Sequence, residues 1–173
     1  VFLIRSIFME YLIRDIRFDT DDIEYCLEIY NYYILNSTST FEEETLSFED
    51  FKQRIFNITR KYPFLVAESG GRIIGYAYLN EYNSRSAYRI TANLSVYLSY
   101  HETAKGIGSA LLSSLTERAK ERNIKMIVSL ITEENAHSST FHEKHGFKKA
   151  GFLEDVGIKF GKRLGVYFYQ KRV

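Results

Sequence analysis

The sequence predicts a mixed α/β domain: a central sheet with helices around it and an anion-binding helix start in mid-chain. Strand-like and helix-like periods run in the order strand, two helices, three strands, helix, strand, helix, strands. A β-branched and aromatic run, Ser95-Val96-Tyr97-Leu98-Ser99, leads through a polar turn into Lys105-Gly106-Ile107-Gly108-Ser109, where an apolar-periodic helix begins. The length of 173 residues, 45% hydrophobic and 26% charged, suits one domain with a real core.

Each element has its own signal. Tyr11 to Phe18 alternates as a first strand, and Asp19-Thr20-Asp21-Asp22 is a helix-start cluster ahead of a stripe of Ile23, Leu27, Tyr30 and Ile34. Ser47 caps a second helix through Phe51, Ile55 and Ile58, which ends at Tyr62-Pro63. Phe64 to Glu68 and Arg72 to Leu79 flank a Ser69-Gly70-Gly71 hairpin turn. A long strand covers Tyr88 to Leu98, and the following helix carries Ile107, Leu111 and Leu115 on one stripe. Lys125 to Ile131 reads as a buried strand, Ala136 to Lys144 as a helix, and Phe147 to Phe152 and Val166 to Gln170 as closing strands.

Composition excludes several functions. A net charge of +1 supplies no field for nucleic acid or a membrane surface, and no run approaches the roughly 20 apolar residues of a membrane span. The single cysteine, Cys26, forms no internal disulfide and fits a reducing cytoplasm. His137, His142 and His145 cluster, but no carboxylate or cysteine completes a ligand set, so no metal is expected. Val1 to Phe8 reads as an N-terminal extension outside the fold, with the domain over residues 9–173 and Met9 as the biological start.

The two glycines decide the mid-chain chemistry. A helix start leaves about four N–H groups unpaired and carries the positive end of the dipole, and glycine lets that backbone approach a phosphate. A doubly wound dinucleotide fold would put such a loop after an early strand with a third glycine, where this chain has Leu111. No Gly-Lys-Ser/Thr follows, so a Walker A loop is excluded.

Taken together, the order and motifs resemble the GCN5-related N-acetyltransferase (GNAT) superfamily, and within it the phosphinothricin acetyltransferase group. The resemblance rests on Tyr33-Ile34 with Ser37-Thr38 and Phe41, and on Tyr62 through Glu68. It continues through Arg85 with Ala87-Tyr88 and Thr91, Val96 through Ser99, and Gly106 through Ser109. Asn135 with Ser138, His142-Glu143, Gly146-Phe147, Gly151, Gly157 with Lys159 and Gly161, and Val166 complete it.

The resemblance implies an α/β (α+β) GNAT fold: a mixed twisted sheet of about seven strands, four helices, and a cofactor cleft between splayed central strands. It implies acetyl-CoA as acetyl donor and a small-molecule primary amine as acceptor, an amino acid analogue such as phosphinothricin or methionine sulfone. A homodimer is implied as well. Val96, Tyr97 and Leu98 would pair with the pantetheine arm, and Ala104, Lys105, Gly106, Ile107, Gly108 and Ser109 would wrap the pyrophosphate. The loop opens with Thr103 where the superfamily usually has Arg or Gln; Lys105 is either a point charge for the phosphates or solvated. Asn135 and Ser138 would bond the cofactor's amide arm, with helix capping as the alternative for Asn135. Arg85, Tyr88 and Phe41 would line the acceptor pocket, an Arg fork being suited to a carboxylate or phosphinate.

For catalysis the resemblance points to His142, near the cofactor sulfur, as proton donor to the leaving thiolate. The group's expected base is a glutamate three residues before the Val-Tyr pair, where this chain has Asn93. An amide orders a water but accepts no proton, so Glu44 is the substitute candidate. The group's C-terminal Trp and Asp are Arg163 and Gly165 here. Two alternatives stay open: acetylation of another amine (a polyamine, an aminoglycoside or a protein N-terminus), and a non-catalytic acyl-CoA sensor.

Overall fold

The computed structural model describes residues 2–6, 9–102 and 106–173. Its strands are β1 (Phe2–Ser6), β2 (Met9–Asp15), β3 (Phe64–Ser69), β4 (Arg72–Glu81), β5 (Thr91–Leu98), β6 (Met126–Thr132), β7 (Lys148–Lys159) and β8 (Lys162–Arg172). The helices are α1 (Asp22–Asn36), α2 (Phe48–Thr59), α3 (Ile107–Glu121) and α4 (Ala136–Lys144). The sheet runs β1-β2-β3-β4-β5-β6-β8-β7, antiparallel throughout except for the parallel pair β5–β6. The expected seven strands correspond to β2 through β8. The eighth comes from the segment read as an extension: Phe2–Ser6 pairs with Met9–Ile13 at the outer edge, because its backbone is free to satisfy the open side of β2.

The sheet separates two cores. Ile107, Leu111, Leu112, Leu115 and Ala119 of α3 pack on one face, and α1 and α2 cover the other through Ile23, Cys26, Ile34, Phe51 and Ile55. On β3, Leu65 and Ala67 enter the first core while Phe64 and Val66 enter the second. Such a strand is a continuous apolar run because both of its faces are covered.

Local signals hold where backbone chemistry is local. Ser47 Oγ accepts from Asp50 N–H at 3.2 Å and starts α2. Gly70 and Gly71, with φ of 57° and 77°, make the β3–β4 hairpin turn. The Asp19–Asp22 cluster behaves differently from a simple cap. Asp21 makes no side-chain capping bond, while Asp22 is buried and accepts from the Nη1 and Nη2 groups of Arg14 (2.5 and 2.8 Å) and from Arg17 N–H (2.9 Å).

Several strand boundaries shift, and β2 ends at Asp15 rather than Phe18. Tyr88 belongs to a short 3₁₀ turn, Ser86–Tyr88, organised by Arg85 N–H on Asn83 Oδ1 at 3.0 Å, so β5 begins at Thr91. The last hairpin is longer than expected, with β7 reaching Lys159. Its outer residues are exposed, so no alternation of burial marks it in the sequence.

Candidate functional site

The parallel strands β5 and β6 pair only through Thr91–Asn93 and Met126–Val128, then part. Register shows what the parting exposes. Ser99 N–H bonds Ile74 O at 2.9 Å, so odd-numbered residues of β5 bond β4, while Leu94, Val96 and Leu98 turn N–H and C=O toward β6. On β6, Glu133 N–H bonds Gly165 O (3.0 Å) and Val173 N–H bonds Lys125 O (3.2 Å), so Leu130 and Thr132 turn theirs toward β5. Beyond Asn93 these two rows face each other across a gap instead of forming a ladder.

The gap is a cavity of about 260 Å³ lined by β5 from Leu94 to Leu98, β6 from Ser129 to Thr132, and α4. Val96, Tyr97, Leu98, Gly108, Asn135, Ser138 and His142 line it, as do Tyr33 and Ser39. Tyr33 carries a link the sequence reading did not single out: its hydroxyl donates to Leu98 O at 2.8 Å, filling one of the carbonyls turned into the gap.

At the cavity's α3 end, Gly106 sits at φ 80°, a left-handed conformation that costs an L-residue with a side chain. Ala110 N–H to Gly106 O, at 3.1 Å, is the first intrahelical bond, so the N–H groups of Ile107, Gly108 and Ser109 precede the ladder. Ser109 Oγ donates to His145 Nε2 at 2.9 Å, since His145 Nδ1–H is committed to Phe141 O at 2.7 Å. Ala104 and Lys105 lie outside the described residues.

Asn135 is a helix cap: its Oδ1 accepts from Ser138 N–H at 3.0 Å, and its Nδ2 donates to Ser39 Oγ at 3.1 Å. The amide therefore ties α4 to the α1–α2 loop. His142 is buried, and its Nδ1 lies 2.8 Å from Ser138 O. A carbonyl only accepts, so Nδ1 carries the proton and Nε2 keeps a bare lone pair, which finds no partner. Burial pushes the His142 pKa down, with a smaller push from His145 and an opposing one from the Ser138 bond. The ring is therefore neutral near pH 7.

The remaining candidates do not line this cavity. Asn93 stands at the last paired position, with Nδ2 bonded to Glu81 O at 3.1 Å. Glu44 is exposed on the α1–α2 loop, and Arg85 and Tyr88 are exposed on the segment leading into β5, where Tyr88 meets Tyr82 edge-on. Phe41 packs against Gly157, whose missing Cβ leaves the space its ring fills. Gly165 likewise leaves room for the Phe152 ring, and Arg163 lies 3.7 Å from Asp155. Among the described residues no cluster of His, Cys, Asp and Glu assembles a metal site, and no helix is long and apolar enough to cross a membrane.

A mixed sheet whose central parallel strands part beside a glycine-started helix offers a cleft with open backbone groups on both walls and an anion-ready helix start at one end. Residues 16–164 match the acetyltransferase (GNAT) domain model, and the chain belongs to the GNAT acetyltransferase family. It is an N-acetyltransferase. It is 32% identical over 153 residues to phosphinothricin N-acetyltransferase of Alcaligenes faecalis, covering 87% of this chain and 78% of the relative. It is 33% identical over 152 residues to the L-methionine sulfoximine/L-methionine sulfone acetyltransferase of Pseudomonas paraeruginosa, covering 86% and 88%. Its fold matches that of a phosphinothricin acetyltransferase from Sinorhizobium meliloti, solved in complex with acetyl-CoA, at a TM-score of 0.89 and 33% identity over 94% of this chain and 88% of that one.

Proposed function

We propose that this chain transfers the acetyl group of acetyl-CoA to the primary amine of an amino acid analogue such as phosphinothricin or methionine sulfone. The observation that carries the reading is the parting of β5 from β6 beside a neutral, unpartnered His142 Nε2. The open backbone rows suit an amide-bearing arm, and the bare N–H groups at Gly106–Ser109 suit a diphosphate. Backbone N–H groups of Val96 and Leu98, fixed in direction by the sheet, are suited to polarise the thioester oxygen.

In this reading the acceptor enters as an ammonium, loses one proton to solvent, and attacks the thioester carbonyl. The C–N bond forms, the C–S bond breaks, and a second proton leaves nitrogen. His142 Nε2 takes that proton and, as imidazolium, returns it to the leaving sulfur, so the reaction releases one proton overall. Asn93, with no useful pKa, orients rather than accepts.

We further infer a cytoplasmic homodimer. Cys26 is a buried free thiol, and Phe152, Leu153, Val156, Ile158 and Phe160 leave an apolar stripe along β7, each 42% to 63% exposed, suited to a second copy. Light scattering of the purified chain checks the dimer; a monomer at micromolar concentration rejects it.

The test of the reaction is thiol release from acetyl-CoA with phosphinothricin, methionine sulfone, spermidine and an aminoglycoside in parallel. Release with the first pair supports the reading, and release only with the second pair moves the acceptor class. Calorimetric acetyl-CoA binding without release on any amine supports a sensor instead.

A further inference from the structure

Among the described residues four side-chain polar atoms are buried with no hydrogen-bond partner: Glu42 Oε2, Tyr76 Oη, Asn93 Oδ1 and His142 Nε2. Three of them only accept, and an unmade buried bond is costly enough to call for a missing donor. An amine in its ammonium form brings donors and nothing else.

Glu42 is the charged member of this set. Its Oε1 pairs with Arg54 Nη2 at 2.7 Å, which anchors the carboxylate and leaves Oε2 over. Arg54 Nη1 in turn touches the Tyr30 hydroxyl at 3.4 Å, and that hydroxyl meets Thr40 Oγ1 at 3.1 Å. The charge of Glu42 acts on the hydroxyls of Tyr30, Tyr78 and Tyr97. Tyr78 is hydrogen-bonded to Ser95, and both Ser95 and Tyr97 line the cavity. Arg54 lies over the Tyr30 ring at 5.7 Å, and the charge of Glu42 reaches past it to Tyr97 on the cavity wall, a setting of aromatic faces and carboxylate that suits a cation.

Position on the sheet gives the same result. Asn93, Ser95 and Tyr97 alternate onto the α1–α2 face of β5, since Tyr97 joins that core while Ala92 and Leu94 join the other. Glu42, on the α1–α2 loop and paired with Arg54 of α2, comes from the same side of the sheet. The loop is fixed there by Lys159 Nζ donating to Thr40 O at 2.6 Å and by Phe41 on Gly157. Glu44, by contrast, is exposed.

We propose that Glu42 receives the ammonium group of the acceptor amine and sets the enzyme's preference for cationic amines. The assignment rests on the acetyltransferase reading above. Glu42 anchors the ammonium; the later proton transfers belong to His142.

The experiment is calorimetric binding of L-methionine sulfone and phosphinothricin to the CoA-loaded protein, alongside steady-state thiol release. Glu42→Gln is expected to weaken amine Kd and raise its KM by about ten- to a hundred-fold, with kcat changed far less and acetyl-CoA Kd unchanged. Glu42→Asp, which keeps the charge, stays within a few-fold of wild type. Adding Asn93→Glu to Glu42→Gln restores amine binding. Unchanged amine Kd in Glu42→Gln overturns the proposal. A wild-type chain that binds amine but releases no thiol defeats the acetyltransferase reading, while the Kd comparison still decides the role of Glu42.

Discussion

The shorter of two contacts between His142 and Ser138 selects a tautomer: Nδ1–H donates to the Ser138 carbonyl at 2.8 Å, one helical turn back, with Ser138 Oγ at 3.3 Å. Everything asked of the ring follows from that commitment. The lone pair on Nε2 is left over, and burial keeps it unprotonated.

The pH dependence of turnover follows from the direction of that shift. His142 must be neutral to accept, and burial moves its pKa below the usual 6.5. Protonation of the ring therefore lowers kcat/KM only below that value, beneath the steady rise with pH that loss of the acceptor's ammonium proton gives. His142→Gln keeps the shape and removes the acceptor, with an expected loss of about 10²- to 10⁴-fold in kcat. A variant that retains wild-type kcat takes His142 out of the mechanism.

Gly106 tests the helix start. Its φ of 80° makes Gly106→Ala strained although nothing obstructs the new methyl. The expected cost is about 1–2 kcal/mol, read as weaker acetyl-CoA binding by up to about thirty-fold in calorimetry with little change in amine KM. Equal weakening toward both substrates contradicts a local role.

Arg14 and Asp22 supply a stability prediction. Both are nearly buried, and Arg14 also bonds Glu68 at 2.6 Å. Burial alone raises the Asp22 pKa, but the Arg14 and Arg17 hydrogen bonds outweigh it and hold the carboxyl below its ordinary value. A depressed folded pKa means the stabilisation is whole above the unfolded pKa of about 3.9 and is lost as pH falls through the folded one. Asp22→Asn is expected to cost about 3–5 kcal/mol at pH 7 in urea denaturation. The gap from wild type should begin to narrow as pH falls below the unfolded value of about 3.9 and close only below the depressed folded one, where protonation removes the same charge from the native chain.

The α3 core tests the scaffold without touching the cleft. Leu115 is fully buried and does not line the cavity. Leu115→Ala should lower unfolding free energy by about 2–5 kcal/mol while activity per folded molecule is kept. Loss of kcat in fully folded protein would show that α3 packing reaches the chemistry.

Much of the scaffold was written locally. The Ser47 cap, the Gly70-Gly71 turn, the glycines at α3 and the apolar run of β3 are decided within a few residues, and each stands where its chain segment implies. The acidic cluster at Asp19–Asp22 was legible as a helix start. That Asp22 turns inward to Arg14 was not, because its partner lies eight residues back on another element. β7 was short in the sequence reading because its outward face gives no burial alternation.

The amino-acid order by itself thus determined the sheet-and-helix succession, the cleft strand and the anion-ready helix start, all of which depend on neighbours along the chain. Only the folded molecule decided which lone pairs are left without a donor. Glu42 Oε2 and Asn93 Oδ1 are 51 positions apart in sequence, and each loses access to solvent and to a donor only in the packed chain. Desolvation and hydrogen-bond satisfaction are properties of assembled surroundings, so the choice of Glu42 over Glu44, and of a neutral His142, had to come from there.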